Sequence, residues 1–353
     1  MKKKLKTIGL TLAAIVAFLL IWSAGSKALH DKAVSATIEK IRKTQSEEAA
    51  IETKKRIESG DPSSQPNSLP SPLFVWETAK LLAEDAAQVM RDKRAFNKKM
   101  AETNAKLEAQ GKKPITYTGR PSFLDQIFTS LENILWGVVL AMCISIPLGI
   151  LIGLSRNFKI ATNWFVQVFK PISPVVWFLL VQMIVNTIMT DPDANNAFVI
   201  TFISVGLCAM WATLVNTSVG VSSVDENYLN VAKVLRLSVG KKILKVVLPA
   251  AVPMIFTGLR ITVSVSWMVL IAVEWLSQSP GLGGFVREEF QNGSSSSNAK
   301  IMVAMFVIGL IGFLLDKIMG TIQGMVSFEN KQSASALTVV KGIFSKKPVK
   351  QAA

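Results

Sequence analysis

The sequence predicts an all-α, polytopic membrane protein with six transmembrane helices and a polar helical insert after the first. Three observations predict it. Half of the 353 residues are hydrophobic while only 18% are charged, too apolar a balance for an ordinary soluble domain. Several apolar runs exceed the ~18 residues that mark a spanning helix. Between two of those runs lies DENYLNVAKVLRLSVGKKILKVVLP (225–249), whose five Lys/Arg residues keep it out of hydrocarbon.

Taken in order, IGLTLAAIVAFLLIWSA (8–24) follows MKKKLK and reads as a first span whose start Lys2, Lys3, Lys4 and Lys6 hold inside. A cleaved signal peptide is the rival reading of the same stretch. Residues 25–126 form a polar insert with helical stretches expected at about 32–58 and 74–108, joined by the Pro/Ser linker SGDPSSQPNSLPSP. In the second stretch Leu82, Ala86 and Val89, with Phe96 and Met100 beyond, mark one side. A long translocated loop escapes the charge rule, so its lysines agree with an external location.

The main apolar part of the chain follows at 127–323. Its first helix (the second span, 127–154) carries Pro147, Gly149 and Gly153, and Arg156 and Lys159 mark its inner end. The third span (162–189) is expected to be broken or kinked at Lys170-Pro171 and Pro174. TDPDANN (190–196) is a turn, and the fourth span is 197–221. The fifth (251–276) leads to an external stretch, SQSPGLGGFVREEFQNGSSSSN, expected to be flexible at its Ser/Gly end. The sixth (300–323) returns inside to a basic tail, 324–353, with Lys331, Lys341, Lys346, Lys347 and Lys350. Both termini are thus expected inside, and every short-loop charge cluster agrees with that topology.

The loop between spans four and five (222–250) is not loop-like. Tyr228, Leu229, Val231, Ala232, Val234 and Leu235 recur at helical spacing, as do Ile243, Leu244, Val247 and Leu248. The pattern predicts two short amphipathic helices, broken at Ser238 and Gly240, the second ended by Pro249 and Pro253. Such a pair on a membrane protein is suited to touching a partner; a solvated loop with a basic face is the plainer reading.

Composition excludes several classes. The net charge of +15 sits beside spans and in tails, which anionic lipid and the cytoplasmic bias explain without nucleic acid. Cys143 and Cys208 both lie in apolar runs and give neither a disulfide framework nor a thiolate metal site. His30, the sole histidine, is read as satisfied or solvated rather than as a ligand. GxxxxGK[ST], HExxH, CxxC and GxSxG are absent, so no catalytic, metal or cofactor site is expected in this chain.

Four ionisable residues fall in or near spans: Lys170, Arg260, Glu274 and Asp316. Such groups are costly in hydrocarbon and are functional candidates by default, with snorkelling as the bland alternative. Arg260 lies about 15 Å into its span by helix rise, too deep to snorkel easily, and is expected to face the bundle. Glu274, about 21 Å further along, is out of its reach and is expected at the outer interface. Lys170 is expected beside a broken helix near a cavity, Asp316 and Lys317 are expected to face another helix, and Ser264, Ser266 and Trp267 give the fifth span a polar-aromatic side.

The opening loop also carries a resemblance. Permease subunits of bacterial binding-protein-dependent ABC importers have a cytoplasmic motif: EAA, three residues, Gly, nine residues, Ile, any residue, Leu-Pro. Aligned on Leu248-Pro249, Val246 falls at the Ile position, Arg236 at the Gly position and Asn230-Val231-Ala232 at EAA. The spacing is kept and Ala232, Leu248 and Pro249 match, while Asn230, Val231 and Arg236 depart. LPSPLFVWETAKLL (69–82), FTSLENILWG, KPISPVVW (170–177), NYLNVAKVLRLSVGKKILKVVLPAAVPMIFTGLRI and IAVEWLSQSPGLGGF (271–285) resemble the nitrate/sulfonate/bicarbonate branch in order over about 69–323. VLRLS followed by FTGLRI is most like the nitrate permeases.

The resemblance implies a type I ABC importer permease fold in the bacterial inner membrane, with this chain carrying no enzymatic activity. It implies a second permease copy, two cytoplasmic ATPase subunits that bind ATP and Mg, and a periplasmic or lipid-anchored binding protein that delivers a small anion. Asn230, Ala232, Leu235, Arg236, Ser238, Lys241, Leu244, Leu248 and Pro249 would couple to the ATPase, and Arg260, Ser264, Trp267, Glu274 and Lys170 would line the substrate pathway. A single positive charge per subunit, offset by Glu274, suits an anion that must also be released. Nitrate or nitrite is the first cargo; organic sulfonate such as taurine, bicarbonate or cyanate is the alternative. A stand-alone secondary transporter or a membrane scaffold are readings of different classes. No inverted repeat and few midplane carboxylates support the former.

Overall fold

A computed structural model describes residues 2–59, 65–189 and 196–326, with side chains from Gly9 onward. The side chains of Lys2, Lys3, Lys4 and Lys6, most of the 190–196 turn, part of the Pro/Ser linker and the basic tail lie outside the described residues. Among those described, every regular element is helical. Five helices are long and apolar enough to cross a membrane, or six if one bent pair counts as a span.

The chain divides into two compact units, residues 1–130 with 278–309, and 131–277 with 310–353. In the first, α1 (Lys2–Thr44) runs unbroken from the first apolar stretch into the polar insert. The expected boundary near residue 24 therefore falls inside a helix, because no proline lies between Trp22 and Lys32 and the lone Gly25 costs only about 1 kcal/mol. Ser46 caps α2 (Glu47–Glu58), accepting from the backbone N–H of Ala49. Ser71 and Pro72 open α3 (Pro72–Ala109), in which Ala86 and Val89 are buried on the side the sequence marks. The stretch after residue 277, expected to be flexible at its Ser/Gly end, is largely helical. It forms α11 (Leu282–Asn292), and Ser294 then caps α12 (Ser295–Val326) by accepting from Ser297 N–H. The serine run is a helix start, which its N-cap chemistry explains.

The second unit holds most of the apolar core. It contains the greater part of α4 (Phe123–Leu154), then α5 (Arg156–Phe169) and α6 (Pro174–Ile188). These last two meet at a 98° bend over Lys170–Ser173, the break expected of the third span. Packed around the elbow are Phe165, Phe169, Trp177 and Trp211. Helix α7 (Asn196–Ser222) lies against α10 (Leu248–Ser277). There the Thr262 hydroxyl, 2.7 Å from that of Thr213, also donates to the Ala209 carbonyl at 3.1 Å. Fully buried hydroxyls of this kind bind helices where no hydrophobic drive separates lipid from protein.

Candidate functional site

The loop after α7 builds its own surface. Asp225 caps α8 (Glu226–Val234), accepting from Asn227 N–H at 2.8 Å. The helix closes with Leu237 N–H donating to Ala232 carbonyl at 3.1 Å and Arg236 N–H donating to Lys233 carbonyl at 2.9 Å. Those two bonds are the 6→1 and 5→2 pair of a Schellman closure, which needs a left-handed residue between them. Arg236 is that residue, with φ at +48°. The break therefore lies at Arg236–Leu237 and not at Gly240, which is helical; Ser238 is the N-cap position of α9 (Val239–Lys242).

Pro249 and Pro253 do not end the second helix, contrary to the sequence expectation. A π turn over Ile243–Val247 follows α9, with Leu248 N–H donating to the Ile243 carbonyl, and the path continues into α10. The widened turn re-routes the carbonyls ahead of Pro249, so the prolines cost donors without breaking the rod. Val239–Ser277 is consequently one helical length from loop to span.

Two buried residues, Ala232 and Val247, fix this loop to the core, where Val247 joins Val221, Ala251, Ile255 and Leu259. Other apolar side chains face out: Tyr228, Val231, Val234, Leu235, Val239 and Leu244, with Val234 81% exposed. Among them stand exposed Asn230, Arg236, Lys241 and Pro249, while Leu248 is half-buried. Exposed apolar side chains edged by basic residues, on a segment too charged to enter lipid, have the composition that suits a docking surface.

The second feature is on α10 itself. Arg260 donates from Nε to Asp316 Oδ1 and from Nη2 to Oδ2, each at 2.8 Å. Asp316 belongs to a stripe on α12, Gly312, Asp316 and Gly320, spaced four residues apart and so on one face. A Cβ at Gly320 would stand 3.4 Å from the Arg260 Cζ, and one at Gly312 would stand 2.9 Å from Trp267 Cδ1. The two missing side chains let α10 and α12 approach antiparallel with the ion pair between them. A shallow pocket of about 480 Å³ opens here, lined by Thr257, Arg260, Ser264, Met268, Asp316 and Gln323.

The structure thus brings Arg260 and Ser264 together and separates the rest. Ser264 is exposed and Ser266 is buried on the opposite side of α10, while Trp267, one helical turn from Ser264, is buried against Gly312 of α12, outside the pocket. Glu274, three residues from the end of α10, is enclosed by protein. It is fully buried and accepts from Asn133 Nδ2 at 3.1 Å, tying α10 to α4. The counter-charge to Arg260 is Asp316, not Glu274, because Glu274 lies four turns up the same helix. Lys170 sits exposed at the α5–α6 elbow and does not line the Arg260 pocket. The pairing of Arg260 with Asp316 escaped sequence reasoning; the Gly-x₃-Asp-x₃-Gly spacing was the signal that could have found it.

Comparison with known proteins agrees with this architecture. Residues 145–328, just over half of the chain, match the family described as binding-protein-dependent transport system inner membrane component. The nitrate import permease protein NrtB of Synechococcus elongatus is 34% identical over 203 residues, covering 57% of this chain and 69% of that protein. NrtB of Leptolyngbya laminosa is 37% identical over 201 residues, 57% of this chain and 68% of that one. The bicarbonate transport system permease CmpB of S. elongatus is 36% identical over 199 residues, 56% of this chain and 67% of that one. Among solved structures, a chain of the inward-facing MetNI methionine ABC transporter overlays with a TM-score of 0.51 at 12% identity. It spans 58% of this chain and 95% of that chain. The chain belongs to the inner-membrane components of binding-protein-dependent transport systems: it is a multi-pass permease subunit of an ABC importer, with the type I importer permease fold.

Proposed function

We propose that this permease subunit carries nitrate, or nitrite, across the bacterial inner membrane as one of two identical copies. Both termini face the cytoplasm, two ATPase subunits bind ATP and Mg there, and a binding protein delivers the anion from outside. The observation that carries an anionic cargo is the Arg260–Asp316 pair beside Ser264 and Thr257 in an open pocket on α10. A guanidinium deep in a span attracts an anion, and a carboxylate on the same fork weakens that attraction enough for release. Nitrate is put first because permeases named for nitrate import, at 34–37% identity, share the chain's sequence. Glu274 and Trp267 position α10, and Lys170 lies at the elbow, outside the Arg260 pocket.

Coupling follows from the continuous helix Val239–Ser277. A groove on each ATPase grips the exposed apolar residues of the 225–249 segment, and closure of the ATPases levers α10 as one rod. Arg236 and Lys241 frame that contact, and Asn230 and Ser238 flank the apolar residues.

Bicarbonate is the second reading. It is favoured by the 36% identity to a bicarbonate permease and by Asp316, an acceptor that could take the hydroxyl proton bicarbonate has and nitrate lacks. The test is uptake of labelled nitrate, bicarbonate and taurine in proteoliposomes holding the complete complex. ATP-dependent nitrate uptake at least about tenfold above the other two supports the proposal; uptake of bicarbonate or taurine alone overturns the nitrate assignment.

A further inference from the structure

A cavity of about 460 Å³ lies where α1 leaves its apolar run. Lys27 and His30 line it from α1, Ser68 and Ser71 from the connection into α3, and Ser295 and Ser296 from the start of α12. Its walls are tied in place. Trp22 Nε1 donates to the Pro70 carbonyl at 3.0 Å, and Ser26 Oγ donates to the Leu69 carbonyl at 2.8 Å. His30 Nδ1 and Ser68 Oγ are 3.3 Å apart. On the other side Asn67 donates to the Gly293 carbonyl at 2.6 Å and accepts from Asn298 Nδ2 at 2.6 Å. The connection is thus held from α1 and from the α11–α12 junction at once, and the cavity is preformed.

The chemistry of the lining is one-sided. It offers an ammonium, an imidazole and several hydroxyls, and no carboxylate lines it among the described residues. The first turns of α3 and α12 add the positive ends of two long helices, a supplement to those side chains. An anion is therefore the suited occupant. Size and place narrow it further. The volume is room for roughly fifteen waters, far more than a bare three- or four-oxygen anion fills. Leu69, Pro70 and Phe74 supply an apolar wall. Ser23 to His30 stand at the polar end of the first apolar run, and the Trp22 indole beside them is an interfacial anchor. On the topology proposed above, that is the depth of lipid phosphates.

We propose that this cavity binds the phosphate-bearing headgroup of an anionic phospholipid. Lys27 supplies the charge, the His30 ring and the serine hydroxyls supply hydrogen bonds to phosphate oxygens, and the apolar wall carries the glycerol. The site is independent of which anion the importer carries: Lys27, His30, Ser68 and Ser71 all precede the matched family region 145–328, and Ser295 and Ser296 are what that region adds.

The test uses the complete importer in neutral detergent, with native mass spectrometry during titration of phosphatidylglycerol, phosphatidylcholine or inorganic phosphate. Phosphatidylglycerol is expected to bind at least about fivefold more tightly than phosphatidylcholine, from the Lys27 ammonium at the interface. Lys27→Gln combined with His30→Gln should remove that preference, while Lys40→Gln, at an exposed position on the same helix, should keep it. Ser296→Glu, also at an exposed position, introduces a carboxylate at the rim and should weaken phosphatidylglycerol without touching α1, which guards against misfolding of the double variant. Equal binding of the two lipids, or an unchanged preference in both altered forms, overturns the proposal. Displacement of phosphatidylglycerol by inorganic phosphate at equal concentration also overturns it, by making the occupant a soluble anion.

Discussion

Asp316 grips Arg260 through both carboxylate oxygens at 2.8 Å, from the same face of α12 whose Gly312 and Gly320 leave room for α10. The grip is geometric as much as electrostatic, since a planar fork meets a planar carboxylate. If Arg260 meets the anion, the two halves of the pair have opposite effects on transport. Arg260→Ala should cut uptake about tenfold or more with assembly retained. Asp316→Asn frees the cation, so half-saturation should fall while maximal uptake also falls, because release slows. Uptake kinetics in proteoliposomes decide this, and unchanged kinetics in both variants would remove the pair from the pathway.

The exposed apolar residues of the 225–249 segment predict a binding defect without a folding defect. Leu235 and Leu244 are 64% and 66% exposed, so an aspartate at either position leaves the core untouched. Leu235→Asp with Leu244→Asp should abolish co-purification of the ATPase while membrane insertion stays normal. Undiminished co-purification would refute the docking role.

Arg236 occupies a backbone position that favours glycine. An L-residue in the left-handed region costs about 1–2 kcal/mol relative to an unstrained one, and the Schellman bonds around it hold the strain in place. Arg236→Gly should slow amide exchange at Leu237, whose N–H closes the helix, about fivefold to tenfold, with about 1 kcal/mol gained. Arg236→Val should speed it. Equal exchange in all three forms would mean the closure carries no strain.

These residues also show what the sequence made legible and what it hid. The spans, the break at Lys170–Ser173 and the amphipathic character of 225–249 follow from local patterns of hydropathy, proline and charge, and the structure keeps them. The resemblance had already placed Arg236 at the glycine position of a motif; the structure supplies the reason, a left-handed closure. The burial of Glu274 was hidden because depth along one helix says nothing of rotation about it. Only α4, 141 residues earlier in sequence, provides the Asn133 amide that buries it. Asp316 was seen as facing another helix but not matched to Arg260, since pairing is a tertiary fact. The helix through Pro249 depends on a π turn that no composition rule announces.

Glu274 predicts a positional rather than a pathway role. Its Oε1 accepts from the Asn133 amide in a fully buried setting, and a glutamine supplies the same acceptor. Glu274→Gln should leave the thermal midpoint of the purified complex near wild type. Glu274→Ala strands a buried donor and opens a void, costing about 2–4 kcal/mol. Equal midpoints for both variants would show that the hydrogen bond holds nothing.

Gly312 supplies the last prediction, on packing alone. A Cβ there would lie 2.9 Å from Cδ1 and 3.0 Å from Nε1 of the buried Trp267, closer than side-chain atoms approach. The indole is large and held, so it does not yield as a flexible chain end would. Gly312→Val should therefore push α12 from α10, stretch the Arg260–Asp316 pair and cost about 1–3 kcal/mol. Gly309, one helical turn away, has nothing within 4 Å of its Cβ position, and Gly309→Ala should be tolerated or mildly stabilising. Thermal unfolding of the two variants side by side checks this. A Gly312→Val protein as stable as Gly309→Ala would mean that α10 and α12 do not approach each other in the membrane as closely as the glycine stripe requires.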